Sequence, residues 1–516
     1  MCVSIPTIAV MGLRKEQDPA AAGHGRGGGL VAVESAILPG EAASGLSPVD
    51  PDRENRSLDA QQHTVVVPGE GEFRQKRLAR GLWDNTARVK KNVFVPALTE
   101  AQRDEIGTVD LPVELSVHGL LDYESLVSAE EFDFDELLDR ARAELRALDG
   151  RVDALVAHWD FPTSVIVPIL ADEFGLPSAD LESVLKTEHK YWSRVLQREI
   201  VPECVPRFCA FDPFDDNALD HIDIPFPFWV KPIKSHSSQL GFEVSDPKAF
   251  AAAVEQIRAE IGRIADPFDR ALARVDVPDG IRAAGGRTCL AEQIVTGTQA
   301  APEGSMFRGE YHVHGVFDMR KDAAGLSFDH LDYPACTVPA DVQQQMIDVT
   351  ERYLRHTGYD NGCFNSEFMW DAETGKLWLI EVNTRISQSH SDLFAKVDGC
   401  SNHAVAIDVA LGIPPRMPHR KGEFAVAAQC MVPRYEDGIV TRVPSDIEIE
   451  ALRQRFPGTE VQVDVGVGER LSELPNQDAY RYKLATLYIG AGDSAALEQR
   501  YRDAVDALPF EFEEVR

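Results

Sequence analysis

From about Val89 onward, apolar and polar positions fall into alternating strand-like and helix-like runs. KNVFVPAL and VELSVHGLL read as buried strands, and FDFDELLDRARAELRAL as an amphipathic helix with apolar residues three and four apart. DALVAHWD reads as a third strand, and SVIVPILADEFGLP as a helix ended by Gly175 and Pro177. Strands alternating with helices predict a small parallel α/β domain over residues 89–185. His158, Asp160, Thr163 and Ser164 follow its strand ends, where open α/β sheets bind ligands. Simple helix capping by Asp160, Thr163 or Ser164 is the structural alternative.

A charged helix, KTEHKYWSRVLQREI, comes next and opens a new unit. PFPFWVKPI, CLAEQIVTG and GEYHVHGVFD read as strands, DPKAFAAAVEQIRAEIG and DVQQQMIDVTERYLRHTG as helices. CFNSEFMW and KLWLIEVN form a hairpin around DAETG, whose Asp, Thr and Gly are turn formers. From about 421 the chain is strand-rich (AVAAQCMV, GIVTRV, EVQVDVGVG) and closes with the helix SAALEQRYRDAVDAL, a small accessory domain over 421–516. No internal repeat is visible.

Residues 1–88 differ. They hold no sustained period and read as an extension that is flexible in part, although TVVVP at 64–68 has strand character. The glycine run Gly25–Gly29 follows no convincing strand and precedes no GKS or GKT, so it reads as a flexible segment, not a phosphate loop.

Composition narrows the picture. At 516 residues the chain exceeds one ordinary core, and 44% apolar with 26% charged residues is a globular composition. No stretch reaches the roughly 18 apolar residues of a membrane span. The apolar run Val3–Leu13 is followed, not preceded, by Arg14 and Lys15, the wrong order for a secretory signal, which makes a cytoplasmic location the expectation. The formal charge of −32 repels nucleic acid and anionic membrane, so neither is expected as a partner. The eight cysteines include no CxxC pair and suggest neither a zinc site nor a disulfide framework.

The hairpin carries the chemistry. Pairing about Thr374 sets Trp370 opposite Trp378 and Glu367 opposite Glu381, with Asn383 on the same face as Glu381. Phe364, Phe368, Ile380 and Val382 form the opposite, core face. Two carboxylates directly across a sheet repel, and something must offset that repulsion. A shared proton or Arg385 would do so; so would a divalent cation, since two carboxylates and an amide oxygen suit Mg²⁺. WVKPIKSHSSQLGF adds Lys231 at the end of an apolar strand, then a loop rich in donors of the kind that wraps phosphates. Lys190 on the preceding helix is a second candidate.

A strand lysine, then AEQIVTG, then a carboxylate hairpin ending in EVNTR resembles the ATP-grasp superfamily, over roughly residues 89–516. The resemblance implies an α/β and α+β protein: an ATP-grasp domain over 186–420, whose nucleotide-closing subdomain is about 205–295. A Rossmann-like domain precedes it and a strand-rich domain follows. It implies ATP and Mg²⁺, with Mn²⁺ as a substitute. Lys190 and Lys231 would contact the ATP phosphates, and the 235–241 loop, with Ser235, Ser237 and Ser238, would close over them. Glu292, Gln293 and Val295 match the hinge that meets adenine, and Glu310 is assigned near the ribose or metal. Glu367, Glu381 and Asn383 match the metal ligands, and Arg385 an arginine that binds a carboxylate or the phosphate formed in catalysis.

Superfamily members generally activate a carboxylate as an acyl phosphate that a nucleophile then attacks. EVNTRISQSH is similar to the matching segment of biotin carboxylase, including Arg385 and His390, which joins Arg385 and Lys231 as a catalytic candidate. Where that family places its bicarbonate-deprotonating glutamate this chain has Ser389, which cannot serve as that base. KSHSSQLG also lacks that family's glycine run, and no biotin-accepting Met-Lys-Met occurs. L-amino-acid ligases fit better, sharing a C-terminal domain with segments like YEDGIVTRV. The expected activity is an ADP-forming carbon–nitrogen ligation of a small carboxylate with an amine, in a chain that the superfamily suggests is a homodimer. A carboxylase, an acid–thiol ligase and a non-catalytic ATP-binding regulator are the alternatives.

Overall fold

A computed structural model describes residues 90–129, 131–235, 240–322, 328–474 and 481–515. The 1–88 extension, Ser237 and Ser238 lie outside the described residues. Among the described residues, no helix is long and apolar enough to cross a membrane.

The first domain carries β1 (Lys90–Pro96), β2 (Glu114–Leu120) and β3 (Ala154–Leu155), parallel in the order β2-β1-β3. Phe134–Ala147 is the expected amphipathic helix, capped by Asp133, and Thr163–Phe174 ends at Gly175 in the left-handed conformation (φ 64°). Sequence periodicity does not show the helix Glu100–Gly107, because only Gln102 and Ile106 are buried. A capping box between Thr99 and Gln102 starts it. The charged segment after this domain is two helices, Leu181–Glu188 and Lys190–Ile200, broken at His189, whose Nδ1 accepts from the Trp192 amide. The Lys190 amide donates to the Ile233 carbonyl, fastening the second helix to the small sheet.

That small antiparallel sheet contains β4 (Phe208–Phe211), β5 (Phe228–Pro232), β6 (Phe242–Val244) and β7 (Cys289–Gln293), in the order β4-β7-β5-β6. Residues 294–297 then lead into a larger sheet. Gly297 is required there, since at φ 137° an added Cβ would run into the Trp370 carbonyl.

The large sheet holds β8 (Thr298–Phe307), β9 (Glu310–Lys321), β10 (Phe328–Tyr333), β11 (Gly362–Asp371), β12 (Lys376–Asn383) and β13 (Val426–Arg434). A separate two-stranded sheet pairs β14 (Ile439–Arg442) with β17 (Glu511–Glu513), while β15 (Thr459–Val463) and β16 (Tyr482–Ala491) join the large one. Its order is β12-β11-β8-β9-β10-β13-β16-β15. The division expected near 420 is therefore not a break in the backbone pairing: β13 hydrogen-bonds to β10 over His330–Tyr333. The C-terminal residues nevertheless pack their own cluster around Val440, Leu471, Leu487 and Ile489.

The hairpin register corrects the sequence reading in part. Glu367 does face Glu381, and Asn365 faces Asn383. A bulge follows, however: β12 carries one extra residue, so Met369 faces Trp378 and Trp370 faces Leu377. The extra residue is Ile380, which is only half-buried, and Leu379 takes the core place beside Phe364, Phe368 and Val382.

Candidate functional site

The site is built on β11 and β12. Glu367 is buried on an inner strand, and Gln299 from β8 donates to its Oε2 at 3.1 Å. Burial and the charge of Glu381 push the Glu367 carboxyl up to about 8, against the pull of Arg385 and Lys190. Burial would also raise Glu381, but Lys190, whose Nζ lies 3.1 Å from its Oε2, and Lys231 outweigh it and hold Glu381 below the usual carboxylate range. Asn383 continues the same face, opposite Asn365. The Asn365 Nδ2 is buried with no hydrogen-bond partner among the described residues.

The small sheet and the helix Lys190–Ile200 bring the cations. Lys231 Nζ is 2.5 Å from Glu292 Oε2, and Arg194 Nε donates to Glu292 Oε1 at 2.5 Å. Burial alone would raise Glu292, but these two cations hold it down at about 2. Burial lowers Lys231, whereas Glu381 overcomes burial at Lys190 and raises it. Lys190 also donates to the Ser235 carbonyl at 3.2 Å, and Lys234 is paired with Glu188, which accepts from Thr384. Gln293 ends β7 with its amide already bonded to the Arg207 carbonyl, and half-buried Val295 lies in the segment joining the two sheets.

Arg385 leaves the hairpin toward the first domain. Its Nε and Nη2 donate to the two carboxylate oxygens of Asp160, each at 2.8 Å, and Nη1 donates to the Ile386 carbonyl at 3.0 Å. Its ion pair is thus with Asp160 and not with either hairpin glutamate, because the strand end points it across the domain boundary. The helix that follows has Pro162 as its N-cap, and Thr163 Oγ1 turns back to the Trp159 carbonyl. Each η nitrogen of Arg385 keeps one hydrogen beyond these bonds, enough for a further two-point contact with an anion. The His390 ring is buried, stacked on Phe317, with Nδ1 2.5 Å from Glu303 Oε2.

A cleft separates these groups, with Asp160, Glu367, Asn383, Arg385, Ser389 and His390 in its walls. Glu381, facing Glu367 across the hairpin, ties this region to Lys190 by an ion pair and to Lys231 by charge. Glu310 does not gather here. It is exposed at the β8–β9 turn opposite Phe307, 3.7 Å from His312, while the carboxylate pair lies level with the other end of β8, near Gln299 and Ala300. Sequence reasoning missed Arg194, Glu188, Gln299, Glu303 and Asn365. The period of two would have found Asn365, which precedes Glu367 by two residues just as Glu381 precedes Asn383. No local signal marks Glu303 or Gln299.

Among the described residues no cluster of three His, Cys, Asp or Glu side chains is set to enclose a metal alone. The donor set is two carboxylates and an amide, all hard oxygen ligands. It fits a magnesium ion that keeps waters and phosphate oxygens for the rest of its shell.

Residues 331–417 match the family model described as carbamoyl-phosphate synthase L chain, ATP binding domain. The carbamoyl phosphate synthase large chain of Paenarthrobacter aurescens is 35% identical over 79 residues, 15% of this chain and 7% of that protein. This chain thus spans a small fraction of the length of the curated relatives it matches. L-amino acid ligase from Bacillus licheniformis superposes with a TM-score of 0.61 at 15% identity, covering 83% of this chain and 100% of that one. Biotin carboxylase from Campylobacter jejuni, solved as a β-γ-ATP complex, gives 0.52 at 14% identity over 86% of this chain and 90% of that one. At such identities the likeness is one of fold.

Proposed function

We propose that this chain, whose fold is that of the ATP-grasp superfamily, is an ATP-dependent ligase joining a small carboxylate to an amine. The observation that carries the reading is the Glu367–Glu381 pair, its first member buried, beside Asn383, with a charged guanidinium across the same cleft. Glu367, Glu381 and Asn383 would hold magnesium, which when bound neutralises charge on the nucleotide phosphates. Lys190 and Lys231 supply two positive charges where those phosphates would lie, and both already balance glutamates with which such a ligand would compete.

Arg385 would hold the incoming carboxylate. Asp160 fixes two of its N–H groups and so sets the plane of the guanidinium, which leaves the outer edge of the fork for the substrate. Transfer of the γ-phosphoryl group to that carboxylate gives an acyl phosphate, and the amine then displaces phosphate. Positioning and electrostatics supply most of the rate in such transfers.

Ser389 weighs against carboxylation. Its hydroxyl lies 2.9 Å from that of Ser387, and a hydroxyl is too weak a base to deprotonate bicarbonate. The test is a screen of carboxylate and amine pairs for phosphate release from ATP, with mass spectrometry of the product. An amide whose formation needs both partners is expected. ATP hydrolysis indifferent to every pair, or a carboxylated product, would overturn the reading.

A further inference from the structure

The reaction proposed above needs a proton removed, because an amine substrate is an ammonium ion at neutral pH and has no lone pair to attack with. Glu303 is almost wholly inaccessible (1% exposed), yet it is saturated with donors. Asn402 Nδ2 reaches its Oε1 at 2.7 Å, and the Ser387 amide and His390 Nδ1 reach its Oε2 at 3.1 and 2.5 Å. A carboxylate only accepts, so in the neutral ring the His390 proton sits on Nδ1 and Nε2 carries the lone pair. That nitrogen has no hydrogen-bond partner among the described residues, and the ring forms part of the cleft wall beside Arg385 and Ser389. Stacking on Phe317, with centroids 3.6 Å apart, fixes the ring plane.

We propose that His390, oriented by Glu303, is the base that takes the proton from the amine nucleophile. This rests on the ligase reading and names a catalytic residue for it. Nε2 accepts a proton from the ammonium ion, and the imidazolium so formed is stabilised by Glu303. The freed nitrogen lone pair forms the C–N bond at the acyl phosphate carbonyl. The C–O bond to phosphate breaks and phosphate leaves with that electron pair. The second nitrogen proton passes to the departing phosphate or water, and His390 returns its own to solvent.

The other candidates in the cleft are committed elsewhere. His158 meets His403 Nδ1 through Nε2 at 3.2 Å and its Nδ1, without a partner among the described residues, is buried out of reach of solvent; Ser389 is paired with Ser387, and Asp160 is held by Arg385.

Hydroxylamine separates the two half-reactions, because it is already unprotonated at neutral pH and traps an acyl phosphate without a base. The full chain is assayed with the carboxylate selected by the phosphate-release screen, once with hydroxylamine and once with the ammonium-form amine. His390→Asn should keep hydroxamate formation within about threefold while amide formation falls roughly 10²-fold or more. Added imidazole should restore part of the amide formation in His390→Ala. Glu303 acts as a positioning residue, so Glu303→Gln should lower kcat for amide formation less than His390→Asn does, with hydroxamate formation and the KM for ATP unmoved. Parallel loss of hydroxamate and amide, or unchanged amide formation in a folded His390→Asn protein, would overturn the role. If the unsubstituted protein forms no hydroxamate with any carboxylate, the ligase reading itself fails and takes this inference with it.

Discussion

Glu292 and Glu367 are both buried glutamates on inner strands of antiparallel sheets, and their surroundings are opposite. Glu292 lies between Arg194 and Lys231 and is held at about 2; Glu367 faces a second carboxylate and is pushed up to about 8. The first region is electrostatically closed, every charge answered by a neighbour. In the second the protein's own cations answer Glu381, and Glu367 beside it gives up its proton only near pH 8. Burying an unanswered charge costs stability, so the second arrangement makes sense as a receptor for something positive. The difference locates the chemistry more sharply than the number of charges does.

The comparison can be broken most directly at Glu381. Glu381→Gln should abolish turnover, a loss beyond the roughly 10–100-fold typical of outer-shell partners of a metal, while its unfolding in denaturant shifts less than that of Glu292→Gln, because relief of the repulsion with Glu367 offsets the lost pairing with Lys190. Near-normal turnover would remove the metal assignment. The matching change in the closed region should do the reverse. Glu292→Gln leaves Lys231 and Arg194 without their buried counter-charge and should cost about 3–5 kcal/mol by denaturant unfolding. A cost near zero would mean that the two regions do not differ as described.

Arg385→Lys comes next. Lysine keeps the charge but cannot make the paired bonds to Asp160, so single-turnover phosphoryl transfer should fall roughly 10²-fold while ATP affinity measured by calorimetry changes little. Asp160→Asn should lose less, since the guanidinium remains. If affinity collapses and transfer from bound ATP stays normal, the role assigned to Arg385 is wrong.

The smallest effect is a slope with pH. The folded value of Glu367, about 8, lies above its ordinary 4.5, so the unfolded chain releases this proton first. Its contribution to stability is complete below about pH 4.5 and is lost as pH rises through about 8. Glu292, held at about 2, has the opposite sense: its contribution is present above about 4.5 and lost as pH falls through about 2. Between about pH 5 and about pH 8, Glu367→Gln should therefore gain stability relative to the unsubstituted protein, and added magnesium should shrink that gain. A constant difference across this range would show that Glu367 is not the group responsible.

Much of this was legible in the chain. Period-two patterning placed Glu367 opposite Glu381, because side-chain alternation survives on the open side of the bulge. It failed beyond the bulge, where a single extra residue moved Ile380 out of the core, and sequence pattern carries no mark of such an insertion. β8 was not read as a strand, since TQAAPEGSMF holds Pro and Gly and few β-formers. Yet Gly304 is needed there, because a Cβ would strike the His312 carbonyl and the Phe364 ring. The partners Asp160 for Arg385 and Glu303 for His390 join residues far apart in the chain, and no local pattern encodes that. Glu310 shows the converse error: a motif match placed it at the site, and strand register puts it at the far turn.

The seam between β10 and β13 has a consequence for how the protein can be cut. Cleaving the chain near 421, where the sequence suggests a boundary, would strip β13, β15 and β16 from the large sheet and leave β10 as a bare outer strand. Its unpaired amides and carbonyls would then offer a template to any passing chain. In the intact sheet the outermost strands are β12 and β15, and β15 places Glu460 in its run TEVQV, a charge that discourages such pairing. The C-terminal segment thus guards solubility as well as adding mass, and a fragment ending near 420 should collect in inclusion bodies although every residue assigned to the cleft is still present.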